Sequence, residues 1–388
     1  MAKEQAVKEY IPYGRHYVDD DDIAEVVKVL KSDWLTTGPV VYRFEKAFAS
    51  YVGSKYAVAV ANGTAALHLA CLAAGLCKDD ELISSPITFV ASANCALYCG
   101  AKPVFADIKA DGSGLIDPGE IEKTVTDKTK IIIPVHYGGL PCDMEEIQKI
   151  ALDNDLIVIE DACHALGATY KDSKIGDCKY SDMAVFSFHP VKHITTGEGG
   201  MITTNNKEFY DKLVMLRSHG ITRDPDKLQK KDEGPWYYEM QMLGFNYRLT
   251  DIQCALGLSQ LKKIDRFVAR RREIAKMYDD AFAGSDCISG PVKYDDRESA
   301  YHLYTIRLNG KLADKRKEVF ENLRANGIGV QVHYIPVNQQ PYYQRMFDLG
   351  ESQNAENYYN TIMSLPIYCG LDFNNSLEKI KKIVEIDK

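Results

Sequence analysis

The chain lacks the marks of several large functional classes. No run of about 18 apolar residues occurs in its 388 residues, so nothing reads as a membrane span. Its first segment, MAKEQAVKEYIPYGR, has no apolar core of the kind a secretory leader carries. Basic residues are not in excess. The balance of 47 Lys and Arg against 55 Asp and Glu leaves a net charge of −8, mixed along the chain, which argues against a general nucleic-acid binder. The ten cysteines form no CxxC pair, which argues against a zinc ribbon or a thioredoxin-like site. Most of them sit in apolar runs such as CLAAGLC and ANCALYCG, so they read as buried thiols in a reducing cytoplasm. There is no internal repeat and no low-complexity linker.

What is present is a soluble globular composition, 45% hydrophobic, on a chain long enough for two domains. From residue 55 onward, short apolar runs alternate with helical patterns. KYAVAVANG, ELISSPI, KPVFADI, KIIIPVHYGG, LIVIEDA, AVFSFH and GGMITTNN read as strands. TAALHLACLAAG, FVASANCALYCG and MEEIQKIALDND read as the helices between them, the first buried on all sides. That alternation predicts an α/β fold with a mainly parallel sheet covered on both faces. Near residue 250 the texture changes. The amphipathic segment 251–282 predicts a long helix, or two joined ones, leading into a smaller domain. That domain would hold the strands YHLYTIRL and GVQVHYI and the helices KRKEVFENLRANG and SLEKIKKIVEI.

In an open α/β sheet, ligands bind at the carboxyl ends of the strands, which selects four segments. In ANGTAA, Gly63 permits close backbone approach, and Thr64 and Ala65 would offer free N–H groups at a helix start, a phosphate cradle. Taken alone, the segment reads as a Thr-capped helix start. In IEDACHALGA, Asp161 ends a strand that should be buried, so it needs a cationic or donor partner. A protonated cofactor ring nitrogen and an Arg or Lys serve equally. In SFHPVKHITTGEGG, Lys192 follows an apolar strand and precedes a glycine-rich turn, five residues beyond Ser187. A lysine there would face the cleft, with a lowered pKa and the capacity to form a Schiff base. The four-residue spacing of His189 and His193 invites zinc, but there is no HExxH and no third ligand nearby, so no metal is expected. In GFNYRLTDIQCALG, Asn246 and Arg248 precede what reads as an Asp-capped helix, alone no more than a polar loop.

The order of these segments carries more than any one of them. With WLTTGPVVYRFEKAF, TFVASANCALYCGAKPVFADI, HYIPV and SLPIY, the chain resembles the sugar aminotransferases of the DegT/DnrJ/EryC1/StrS family over nearly its whole length. Within that family, SFHPVKHITTGEGGM and HGITRDP are most similar to the member serving pseudaminic acid biosynthesis. The resemblance implies a fold-type I pyridoxal 5'-phosphate (PLP) enzyme. Its large domain, residues 1–255 with an N-terminal arm, has a mostly parallel mixed sheet, and a smaller C-terminal α+β domain spans 256–388. It implies that Lys192 holds the cofactor, that Asp161 pairs with the ring nitrogen, and that Phe89 and Cys163 lie on opposite ring faces. His164 would lie near the ring hydroxyl, and Thr64, Ala65 and Ser187 would bind the phosphate with Asn246 of a second subunit. Cys163 and His164 depart from the alanine and glutamine common in relatives. His333, Tyr334, Arg15, Leu35 and Thr36 would bind the substrate. The implied reaction moves an amino group from glutamate to C4 of a UDP-linked 4-keto-6-deoxy-N-acetylhexosamine, in a cytoplasmic homodimer with shared sites. A GDP- or dTDP-linked 4-keto sugar is the alternative. A sugar dehydratase would have histidine at the Lys192 position, and a PLP-binding regulator would carry a DNA-binding segment that no stretch here supplies.

Overall fold

The computed structural model describes residues 10–384; the first nine and last four residues, which belong to the expected arm and the expected small domain, lie outside it. Seven strands form the main sheet: β1 (Tyr56–Val60), β2 (Glu81–Ser84), β3 (Lys102–Phe105), β4 (Thr129–Ile133), β5 (Ile157–Asp161), β6 (Met183–Ser187) and β7 (Gly200–Thr204). Their order is β1-β7-β6-β5-β4-β2-β3. Neighbours are parallel from β6 to β3, while β7 runs antiparallel to both β6 and β1. The strands are apolar at successive positions because both faces are covered. Ile83, Ile132 and Phe186 face one core, whereas Leu82, Ile131 and Val185 face the other. The period-2 alternation of strand side chains builds both cores from the same strands.

Helix α1 (Asp20–Leu30) packs on the helix Asp251–Leu261, while α2 (Pro39–Val52), α3 (Gly63–Ala73) and α4 (Ala91–Tyr98) pack on the sheet. Helix α3 is buried on nearly every side, as its small and apolar residues predict. Its cap is Asn62, not Thr64: the Asn62 side chain accepts the Ala65 N–H at 2.8 Å. The amide expected to be free at Ala65 is therefore engaged.

The amphipathic segment forms two helices, α5 (Asp251–Leu261) and α6 (Ile264–Phe282). Thr250 caps α5 in a capping box with Gln253. Asp251, which the sequence suggests as the cap, is fully buried and reaches back to the start of α2. There it accepts the Gly38 N–H at 2.7 Å and the Val40 N–H at 2.9 Å. Beyond α6 comes a small antiparallel sheet of β8 (Ile288–Ser289), β9 (Tyr304–Leu308) and β10 (Ile362–Leu365). Helices α7 (Arg316–Ala325) and α8 (Phe373–Val384) accompany it. GVQVHYI is not a strand of this sheet. Gln331 pairs with Ser364 in one isolated bridge, and the chain then turns so that His333 and Tyr334 line a cavity. The strand beside β9 is instead IMSL, residues 362–365.

Candidate active site

The carboxyl ends of β2, β5 and β6 and the start of α3 open onto a single cavity of about 780 Å³. Lys192, Asp161, Cys163, His164, Ser187, Thr64, Ala65, Phe89, His333 and Tyr334 all line it, although they come from residues 64 to 334 of the chain.

Each is placed by local chemistry. Asp161 ends β5, and its backbone is fixed by the Pro134 carbonyl at 2.9 Å and the His136 N–H at 3.1 Å. Its carboxylate accepts Ser92 Oγ–H at 2.6 Å and the Cys163 N–H at 3.2 Å. After β6 the chain folds back on itself. Phe188 N–H donates to Gly199 O at 2.8 Å and Thr196 N–H to Phe188 O at 3.1 Å, which presents Lys192 from the loop between them. The loop returns to the sheet beside the Asn62–Gly63 turn. A Cβ on Gly200 would lie 2.6 Å from the Asn62 carbonyl carbon and oxygen, and one on Gly63 would lie 3.0 Å from Ser187 Cβ. Glycine at both positions lets the two turns close on each other.

The site is poorly solvated, and its titration follows. Burial pushes the Lys192 amine below its ordinary value, against the pull of the nearby Cys163 and Asp161 groups. Burial and the Lys192 charge hold His164 well below the usual histidine range and bring His333 to about 4. Burial, with Asp161 beside it, raises the Cys163 thiol. His164, Tyr334 and His302 form one aromatic group: His164 and His302 rings lie 4.3 Å apart, and Tyr334 Oη meets His164 Nε2 at 3.2 Å. His193, spaced for a metal with His189, instead engages Ala300 O through Nε2 at 3.0 Å, while His189 lines the cavity.

This neutral cluster makes stability sensitive to acid. An unfolded His333 titrates near 6.5 and the folded one near 4, so the folded protein binds fewer protons between those values. Stability is full above pH 6.5 and is lost as the pH falls toward 4, by on the order of 3 kcal/mol for His333 alone. Melting temperatures should fall across that window, less steeply in His333→Asn. A flat profile, or one the variant leaves unchanged, contradicts the assignment.

Four expected site residues are not brought to this cavity. Arg15 lines a separate depression with His16, Tyr17 and Tyr368. Leu35 is 48% exposed, Thr36 bridges Thr250, and Asn246 is exposed on the segment before α5, where it bridges Ser218. The structure adds Tyr13 from the N-terminal segment, and Ser92, Thr88, His68 and Tyr247, to the lining. Ser92 sits inside the quoted run TFVASANC, but nothing local marks its contact with a carboxylate 69 residues away.

The sequence profile described as the DegT/DnrJ/EryC1/StrS aminotransferase family matches residues 16–386. The chain belongs to this family. It is 42% identical to the spore coat polysaccharide biosynthesis protein SpsC of Bacillus subtilis, with 97% of each chain covered. It is 40% identical to the UDP-4-amino-4,6-dideoxy-N-acetyl-beta-L-altrosamine transaminase of Campylobacter jejuni, covering 96% of this chain and 99% of the relative. Among solved structures, Helicobacter pylori PseC, an aminotransferase of pseudaminic acid biosynthesis, superposes with a TM-score of 0.90 at 35% identity, covering 97% of this chain and all of that one.

DegT-family aminotransferases depend on pyridoxal phosphate, and the residues of this one fit it. The cavity joins a poorly solvated amine at Lys192, a carboxylate at Asp161 and a polar turn at Asn62–Thr64 facing Ser187. His164 Nδ1 is buried in the wall with no hydrogen-bond partner among the described residues, a group that a polar ring substituent would satisfy. Phe89, 57% exposed, presents an aromatic face to the opening.

Proposed function

We propose that this aminotransferase moves an amino group from glutamate to C4 of a UDP-linked 4-keto-6-deoxy-N-acetylhexosamine, the amination step of a pseudaminic acid route. One observation carries the substrate: 40% identity to the Campylobacter transaminase over almost the full length of both chains. The 42% identity to SpsC supports a second reading, amination of another 4-keto nucleotide sugar. Amination rates against UDP-, GDP- and dTDP-linked 4-keto sugars test the first reading. It requires a clear preference for the UDP sugar, and a preference for either of the others overturns it.

Pyridoxal phosphate, when bound, supplies the carbonyl that accepts an amine and the ring that draws off negative charge. The protein's part is to place groups around it. Lys192 Nζ would hold the cofactor and, with its pKa lowered by burial, can take a proton from the Cα of the amino donor. Asp161 would hold the proton on the ring nitrogen. Phe89 and Cys163 would flank the ring, and Thr64, Ser187 and the α3 N-terminus would anchor the phosphate. With the Ala65 N–H taken by Asn62, Thr64 and Ser187 would carry more of that anchoring.

A homodimer completes the site in this reading. Residues 34–36 lie against the start of α5, with Leu35 O accepting the Asp251 N–H at 3.0 Å, and Asn246 is exposed five residues before that start. Trp34 and Leu35, with Tyr42 of α2 and Leu243 near Asn246, are exposed large apolar side chains, in keeping with burial against a second copy. Arg15, Leu35, Thr36 and Asn246 would then serve the partner's cavity or its rim. The division into a large cofactor-binding part and a smaller C-terminal part is supported by α6, whose Phe267 and Val268 join the sheet core while Ile274 and Tyr278 join the small-sheet core. Cytoplasmic placement is supported by ten cysteines standing as free thiols.

His333 and Tyr334 would face the sugar. His333 rests against Tyr13, with ring centroids 5.3 Å apart, and its Nδ1 meets Ser364 Oγ at 2.8 Å. His333→Ala should raise the Michaelis constant for the nucleotide sugar about tenfold and leave the glutamate half-reaction nearly intact. Stopped-flow measurement of the two half-reactions checks this. Equal damage to both would place His333 at the cofactor or in the fold.

A further inference from the structure

Behind Asp161 lies a chain of hydroxyls that the reaction as described does not use. Ser92 Oγ lies 2.6 Å from Asp161 Oδ2, and Thr88 Oγ1 lies 2.8 Å from Ser92 Oγ. Ser92 is fully buried and Thr88 is 2% exposed, so both hydroxyls sit in the cavity wall with almost no surface open to solvent. The direction of donation follows from proton counting. An ionised carboxylate only accepts, so Ser92 must give its single proton to Asp161. Ser92 then has none left for Thr88, so Thr88 must donate to Ser92.

We infer that Thr88 and Ser92 are positioning residues, a one-way relay Thr88→Ser92→Asp161 that fixes the Asp161 carboxylate for the cofactor's ring nitrogen. Ser92 occupies Oδ2, and the Cys163 N–H at 3.2 Å occupies Oδ1, so the carboxylate is tied at both oxygens and cannot turn about its Cα–Cβ axis without breaking a bond. Both hydroxyls sit where the chain leaves β2. Thr88 is in the turn, and Ser92 is in the first turn of α4, its own N–H donating to Phe89 O at 3.2 Å. The segment that would put Phe89 on the ring face thus also fixes the group at the ring edge. A shift of α4 would disturb both. Among the described residues Thr88 bonds Ser92 and not the carboxylate, so it acts on Asp161 through Ser92, and in a site of low dielectric each bond polarises the next.

The inference rests on the proposed cofactor site, and the test separates the two. The apoenzyme's dissociation constant for pyridoxal phosphate is measured for wild type, Ser92→Ala, Thr88→Val, the double variant and Thr88→Ser, with melting of each apoenzyme as a fold control. A hydrogen bond to a charged group corresponds to roughly ten- to a hundredfold in affinity. Ser92→Ala should weaken cofactor binding by about tenfold or more, and Thr88→Val by less. Thr88→Ser should bind nearly as wild type, since it keeps the donor. The double variant should match Ser92→Ala alone, because Thr88 has no other route to the carboxylate. Losses that multiply in the double variant, or a Ser92→Ala protein with wild-type affinity, overturn the relay while leaving the cofactor site standing. Wild-type protein that fails to bind pyridoxal phosphate overturns both.

Discussion

Lys192→Ala should fold, melt close to wild type and lose turnover by roughly a thousandfold or more. Lys192 is the amine that several independent features of the fold converge on. The turn after β6 closes through Phe188 and Gly199 and directs it into the cavity, and burial lowers its proton affinity. In the proposed mechanism its removal would take away both the attachment of the cofactor and the proton carrier, so the loss should exceed that of either role alone. Among the described residues Lys192 makes no salt bridge, so the alanine variant strands no carboxylate partner and the fold has little reason to suffer. Steady-state rates with glutamate and the keto sugar, beside a melting curve, decide it. Near-normal transamination would sink the assignment.

Asp161→Asn should cost about a hundredfold in turnover while leaving much of the cofactor bound. An amide keeps one acceptor oxygen, which can hold the Cys163 N–H, while its NH2 in place of Oδ2 would donate to Ser92 Oγ and reverse the relay. The strand end, held by backbone bonds to Pro134 and His136, survives the change. What the amide cannot do is balance a positive ring nitrogen, and the electron-withdrawing power of the ring depends on that charge. Cofactor content and rate are measured together. If neither moves, the carboxylate is a structural acceptor for Ser92 and its role at the ring is wrong.

Much of this was legible because buried parallel strands announce themselves. β1, β2, β4, β5 and β6 are short apolar runs ended by turn residues, and each run in the sequence became a strand. The strand-end rule then led to Asp161 and Lys192 from local pattern alone. Where the reading failed, a distant partner had displaced a local one. Asp251 looks like the cap of α5, but the amides of Gly38 and Val40, more than 200 residues earlier, claim its carboxylate and Thr250 takes the cap. Asn62 caps α3 where Thr64 has the more familiar hydroxyl, because the helix begins one residue earlier, at Gly63. GVQVHYI has the alternation of a strand, yet the cavity draws His333 and Tyr334 out of register after a single bridge at Gln331. Ser92 reads as an unremarkable helix residue, since its significance lies in a contact with β5 that no local pattern contains. Arg15, Leu35, Thr36 and Asn246 are a different case: the chain does not bring them to its own cavity, and only the proposed second copy would give them a place at one.

Lys192, as the amine that would hold the cofactor, is the residue on which the proposed chemistry depends. Borohydride reduction of the pyridoxal phosphate-loaded protein, followed by proteolysis and mass spectrometry, reads that directly. The phosphopyridoxyl group should appear on the peptide containing SFHPVKHITTGEGG, at Lys192 and at no other lysine. A label on a different lysine, or no label in protein that binds the cofactor, would contradict the assignment of the site.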